Sequence, residues 1–237
     1  MVNLLPTLTT TDVQQRAPRV AVLPVGSYEQ HGSHLPLITD TAVACVIVRE
    51  LAAAHPILPL PPLAIACSHE HGTWPGTVSI SARTLHALIT DIAQSLETSG
   101  IRKLVLVNAH GGNYVLSNVV QEANVTEPRM SLFPLGAEWT RARERAGLAT
   151  DSHDDMHAGE IETSILLHAE PDLVGPGYAT ADHAASDRPF LLTHGIRAYT
   201  NTGVIGFPSY ATAAKGKAVL ASLTADFAAH LHALGEQ

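Results

Sequence analysis

The sequence predicts an α/β domain in which a largely parallel central sheet is flanked by helices. Three observations carry that prediction. Short apolar runs alternate with longer segments of helical periodicity. Residues 103–108 hold four consecutive aliphatic side chains, the pattern of a strand buried on both faces. Polar clusters follow both this strand and the first one, where open parallel sheets bind ligands.

Taken in order, residues 19–25 read as the first strand. Asp40 can cap a helix over residues 41–54. Residues 57–66 carry three prolines, so they read as an edge or irregular extended segment. Residues 77–81 form a further short strand. Over residues 83–99, Leu85, Leu88, Ile89, Ile92 and Leu96 share one helical face, and Gly100 supplies the stop. Gly111 and Gly112 turn the chain out of the 103–108 strand into a helix from Asn113. Residues 130–135 are another strand, and residues 158–169 and 211–234 are helices. The stretches 136–157 and 171–208 read as irregular connections around a site. No repeat or linker divides the chain, so residues 1–237 form one domain.

Composition narrows the function. With 46% hydrophobic and 15% charged residues, the chain can bury a sizeable core. Its net charge of −8, with no basic run, argues against nucleic acid as a partner. No apolar stretch is long enough for a membrane span. Two cysteines, Cys45 and Cys67, sit among aliphatic residues. They read as buried reduced thiols of a cytoplasmic protein, and the N-terminus lacks the pattern of a signal peptide. Fourteen histidines are the oddity.

Four clusters concentrate those histidines. Glu29 and His31 are two apart in a segment expected to be extended, so they share a face, and Asp40 follows at a helix start. His110 stands at the end of the clearest strand. Asp151 to Ser164 brings His153, Asp154, Asp155, His157, Glu160 and Glu162 together before an apolar helix. Ser68 to Thr77 offers His69, Glu70, His71 and Trp74. Carboxylate with imidazole suits zinc, manganese or iron. A dinucleotide fingerprint, a phosphate loop and a nucleophile elbow are all missing. The remaining histidines His55, His86, His168, His183, His194, His230 and His232 read as surface or core residues.

Together the clusters resemble the creatininase family of metal-dependent amidohydrolases. The matching stretches are Leu23 to Gly32, with Glu29 and His31; Asp40; Pro75 to Ile80; Leu104 to Asn113, with His110; and His157 to Ser164. Gly203 to Gly206 and Ala211 to Gly216 fit as well. The resemblance implies hydrolysis of a linear or cyclic C–N amide bond by a hydroxide held between two divalent metals, zinc first, manganese or iron otherwise. Glu29 and His110 would hold one metal and His31 the other, with Asp40 bridging. In creatininase proper a glutamate stands where this chain has Gly112. Glu162 is the expected replacement, with Glu160 its competitor.

A regular helix from His157 would put Glu160, three residues on, on the histidine's face and Glu162 off it. The family pattern favours Glu162, and the two agree if the helix starts at or after Gly159. His157 is expected to protonate the leaving nitrogen, with Glu70 and His71 completing the catalytic set beside Trp74. His153 stands where creatininase carries a tryptophan that closes over its ring, so creatinine itself is not the expected substrate. Relatives of this branch act on formamides or trim a modified peptide of the mycofactocin system. The expected partner is a small amide or short peptide. A relative that binds metal without catalysis is the alternative. The resemblance also implies a homo-oligomer, a hexamer.

Overall fold

The computed structural model describes residues 5–236. Among them, four parallel strands form one sheet: β1 (Val20–Val25), β2 (Ile57–Pro59), β3 (Lys103–Asn108) and β4 (Met130–Phe133), in the order β2-β1-β3-β4. The helices are α1 (Thr10–Arg16), α2 (Thr39–Ala54), α3 (Ala82–Thr98), α4 (Val115–Ala123), α5 (Gly136–Ala146), α6 (Glu160–Ala169), α7 (Leu191–His194), α8 (Ala213–Asp226) and α9 (Ala228–Ala233).

The unbroken apolar strands follow from burial on both faces. Val20, Val22, Val105 and Val107 feed the core shared with α2, α6 and α8. Their neighbours Ala21, Leu23, Leu104 and Leu106 feed the opposite core, against α3 and α4. The chain leaves β1 through α2 to reach β2 on one side, then returns through α3 to β3 and through α4 to β4. The strand order therefore reverses between β1 and β3. Loops leaving their carboxyl ends diverge there and open a crevice.

The structure corrects several expectations. Residues 77–81 make no strand, only an isolated bridge between Val78 and Tyr28. Pairing in residues 57–66 stops at Pro59, apart from one bridge at Leu63, because the prolines remove ladder donors. Asp40 lies in the first turn of α2 rather than capping it, and its carboxylate turns away to Ser27 and His31. The segment 211–234 is broken at Phe227 into α8 and α9.

The stretch 136–157 is not irregular throughout, since α5 fills its first half. That helix is rich in charge and buries only Glu138, Ala142 and Arg143, so it shows little apolar periodicity. Its ends did carry signals: acidic Glu138 in the first turn, basic Arg143 and Arg145 in the last, and Gly147 at φ 63° after it.

Helix α6 is clamped from outside. Gly216 of α8 lies so close to it that an added Cβ would stand 1.9 Å from the Ser164 carbonyl oxygen. Such an approach is open only to glycine. Thr212 at the start of α8 donates its N–H to Ser164 Oγ at 3.2 Å.

Candidate metal centre

The loop after β1 delivers Glu29 and His31, the first turn of α2 delivers Asp40, and the end of β3 delivers His110. All four are buried. His31 donates Nδ1–H to the Glu29 carbonyl at 3.0 Å, and its Nε2 meets Asp40 Oδ1 at 3.0 Å and lies 3.8 Å from Glu162 Oε1. His110 donates Nε2–H to the Cys67 carbonyl at 2.8 Å. Its Nδ1 lies 3.2 Å from both Glu29 Oε1 and Asp40 Oδ2. The two oxygens of Asp40 thus face two different imidazoles.

Both oxygens of Glu29 are buried and accept no hydrogen bond. The nitrogens near them, on His71, His110 and His157 at 3.2, 3.2 and 3.7 Å, lie close without hydrogen-bond geometry. A buried carboxylate left this way is costly unless a cation meets it. The imidazoles report the same demand for positive charge. Burial opposes a proton on His31, but Asp40 and Glu162 outweigh it and raise the group well above its usual range. Burial opposes a charge on His110 too, and Glu29, Asp40 and Glu70 outweigh it. Asp40 is held well below the carboxylate range, with His31 and His110 overcoming its burial.

Three groups of side chains have donor atoms close enough to share a cation: Glu29, His31 and His157; Glu29, Glu70 and His110; and His31, Asp40 and Glu162. The donor set and the orphaned Glu29 oxygens fit a divalent metal. Of the histidines expected to be surface or core residues, none belongs to these groups among the described residues.

The two competing glutamates part company. Helix α6 begins at Glu160 with Gly159 as its N-cap, so His157 lies outside the helix, bridged to Ile205. Glu160 points away from the centre. It accepts from Ala149 and Thr150 N–H, from the Thr150 hydroxyl, and from Lys215. Glu162 turns inward. Its Oε2 is held at 2.6 Å by the N–H of Ala158, a residue at φ 55°, and its Oε1 faces His31. Positive φ is uncommon outside glycine and marks a backbone held in place by its surroundings. Here His34 donates to the Ala158 carbonyl at 3.1 Å.

Gly112 has a visible consequence. A Cβ there would stand 2.0 Å from Glu70 Oε1 and 2.4 Å from His110 Nε2. The carboxylate of Glu70 fills that space from the loop after β2 and lies 3.3 Å from His110 Nε2. Burial would raise Glu70, but His110 outweighs it and the carboxyl stays below its usual range.

His71 and His157 pack beside the centre with tilted rings, centroids 4.4 Å apart, and the His31 ring lies 4.2 Å from that of His157. Burial, then the neighbouring imidazoles, push His71 far down. Burial and His31 lower His157 as well. Trp74 lies further out, with the Arg197 guanidinium 4.7 Å over its ring.

A cavity of about 360 Å³ opens from His110 and Glu162 toward Trp139, Arg143 and Met156. Sequence reading missed Trp139, Arg143 and the anchoring role of Asp155. Asp155 accepts from Arg143 and from the N–H groups of Glu160 and Ile161, so it fastens the start of α6. The acid one turn before an apolar helix was the available signal. His153 is exposed and donates to the Ser186 carbonyl at 2.8 Å, closing over nothing.

Residues 6–231 match the profile of the family described as Creatininase: Creatinine amidohydrolase. A mycofactocin precursor peptide peptidase from Mycobacterium ulcerans is 35% identical over 233 residues, covering 93% of this chain and 87% of its own. The creatinine amidohydrolase of Pseudomonas putida is 26% identical over 174 residues, with 65% and 66% covered. A solved structure described as a manganese creatininase superposes with a TM-score of 0.80 at 23% identity, covering 95% of each chain.

Proposed function

The chain belongs to the creatininase family, and from that premise we propose a metal-dependent amidohydrolase that hydrolyses a C–N amide bond and trims a modified peptide. The observation that carries the metal reading is Glu29: a fully buried carboxylate with no hydrogen bond, ringed by imidazole nitrogens. Glu29, His110 and one oxygen of Asp40 would hold one divalent cation. His31, Glu162 and the other oxygen of Asp40 would hold a second. Zinc is the first choice, with manganese or iron compatible with the same donors. The chemistry such cations supply is Lewis acidity, which polarises an amide carbonyl and lowers the pKa of water.

The chain's own groups do the rest. His157 holds and moves the proton that the leaving nitrogen needs, a role worth about 10²–10⁴ in rate. His71 packs beside Glu29, its Nε2 3.2 Å from Oε1. Glu70 steadies His110 from the side opposite its ligand nitrogen, as outer carboxylates do for metal-binding histidines. The cavity walled by Trp139 and Met156 receives the substrate side chain.

The peptide substrate rests on the 35% identity to the peptidase across nearly the whole chain. Creatinine is expected to turn over below about 10⁴ M⁻¹s⁻¹, since no aromatic closes the site where His153 stands. We extend the reading to a homo-oligomer in the cytoplasm, where buried Cys45 and Cys67 stay reduced. Among the described residues no helix is long and apolar enough to cross a membrane.

Metal analysis of the purified protein, together with mass spectrometry of a mycofactocin-type precursor peptide after incubation, tests the proposal. Two bound cations and a shortened peptide are expected. Asp40→Ala should lose most of the metal and nearly all cleavage. A fully loaded, active Asp40→Ala protein would overturn the two-metal reading.

A further inference from the structure

Gln30 lies between two proposed ligands, Glu29 and His31. Its side chain is buried and fully bonded. Nε2 donates to His71 Nδ1 at 3.0 Å and to the Gly203 carbonyl at 2.9 Å, while Oε1 accepts the Gly32 N–H at 3.0 Å. These partners fix the orientation of the amide. The carbonyl of Gly203 can meet only the NH₂ group, and the N–H of Gly32 only the oxygen.

An amide nitrogen has two protons, and both are then used. The 3.1 Å approach of Nε2 to His157 Nε2 is therefore no third donated bond. His157 instead donates its own Nε2–H to the backbone carbonyl of Gln30, at 2.6 Å. One residue thus engages two imidazoles, one through its side chain and one through its backbone.

We propose that Gln30 is a positioning residue that sets the proton pattern of the centre. His71 accepts at Nδ1, so its proton sits on Nε2, 3.2 Å from Glu29 Oε1. His157 also carries its proton on Nε2, but its ring is turned the other way and presents a bare Nδ1, 3.7 Å from the same oxygen. The chain therefore offers Glu29's surroundings one N–H donor and one proton acceptor.

On the amidohydrolase reading, on which this step rests, His157 enters first as a base and only then serves as the acid expected from sequence. Nδ1 takes a proton from the attacking water as the water oxygen bonds the amide carbon. The same proton then passes to the nitrogen as the C–N bond breaks, leaving a carboxylic acid and an amine, and transfer of the remaining water proton between them gives a carboxylate and an ammonium.

Gly203 is the second half of the device. A Cβ there would stand 1.7 Å from Gln30 Oε1, and the residue sits at φ 88°. Any side chain at this position displaces the amide. The Gly203 to Gly206 stretch, unexplained by the ligand set, acquires a role in this way.

The test is long-range ¹H–¹⁵N spectroscopy of the zinc-loaded protein labelled with ¹⁵N-histidine. His71 and His157 should each show a protonated Nε2 and a bare Nδ1. In Gln30→Met, His71 should lose its single tautomer while His157, held by backbone, keeps its own. Gly203→Ala should reproduce the His71 change without touching Gln30. Peptide cleavage should fall about 10–100-fold in both variants, the range seen when outer partners of a metal site are removed. A wild-type His71 protonated on Nδ1, or a His71 unchanged in both variants, overturns the proposal. A wild type that shows the expected tautomers but cleaves no peptide leaves Gln30's role standing and refutes the peptidase reading instead.

Discussion

Two fully buried carboxylates, Glu29 and Glu160, show how differently one chain can treat the same group. Glu160 is saturated. Lys215, two backbone N–H groups and the Thr150 hydroxyl all reach it. Burial works against its charge, and these partners outweigh burial and hold the carboxyl below its usual range. Glu29 sits among imidazoles at 3.2 Å or more and accepts no hydrogen bond. The first joins α6 to α8 and to the chain after α5. The second has no donor in place, the condition in which a buried carboxylate calls for a cation. The difference separates residues that hold the molecule together from residues that make it work, without appeal to position in the sequence.

Three substitutions break or sharpen that contrast. Glu29→Gln should have the largest effect on activity, a fall of about 1,000-fold or more, equivalent to roughly 4 kcal/mol of transition-state stabilisation. It breaks no hydrogen bond, so the melting temperature of the metal-free protein should change little. Calorimetry beside a cleavage assay reads both quantities.

Glu160→Gln should behave in the opposite way. It removes the partner of Lys215, whose side chain is 22% exposed, so a cost of about 1–3 kcal/mol is expected, below that of a fully buried pair. For a chain of this size that corresponds to roughly 2–4 °C in melting temperature per kcal/mol. Metal content should stay near that of the wild type. If Glu160→Gln empties a metal site while Glu29→Gln leaves it filled, the contrast is reversed.

The smallest and most informative change is Glu162→Gln. One helical turn carries both a saturated glutamate and a reaching one, so this variant should weaken a single cation site and leave the other. Titration of metal into the stripped protein should show one tight step and one weak step where the wild type shows two tight ones.

Much of this was legible in the sequence, and the reasons for what was not are physical. β1 and β3 announced themselves because strands buried on both faces need unbroken aliphatic runs. α3 did so because Leu85 and Ile89 recur on one face. The residue types of the site were readable from the Glu29, His31 and His110 motifs. The choice of Glu162 over Glu160 came from the family pattern and not from local physics, because what occupies Glu160 is Lys215, fifty-five residues away, and what aims Glu162 is a left-handed turn at Ala158. Helix α5 escaped because a charged helix that packs by a narrow stripe has little periodicity to show. Gln30 escaped because its importance lies in having every bond made, which composition does not reveal.

The crevice between β1 and β3 also decides when the centre can exist. Its groups come from Glu29 at one extreme to His157 and Gly203 at the other, joined directly through Gln30. Parallel pairing and contacts of such sequence separation form only after long loops have closed. The assembled set of donors is therefore expected to form late in folding and outside its nucleus. On the proposed function, a cation would act by mass action on the finished fold, adding about 2.7 kcal/mol at a hundredfold excess over its dissociation constant. Bound metal is then expected to lengthen the lifetime of the folded chain and leave the speed of refolding unaltered.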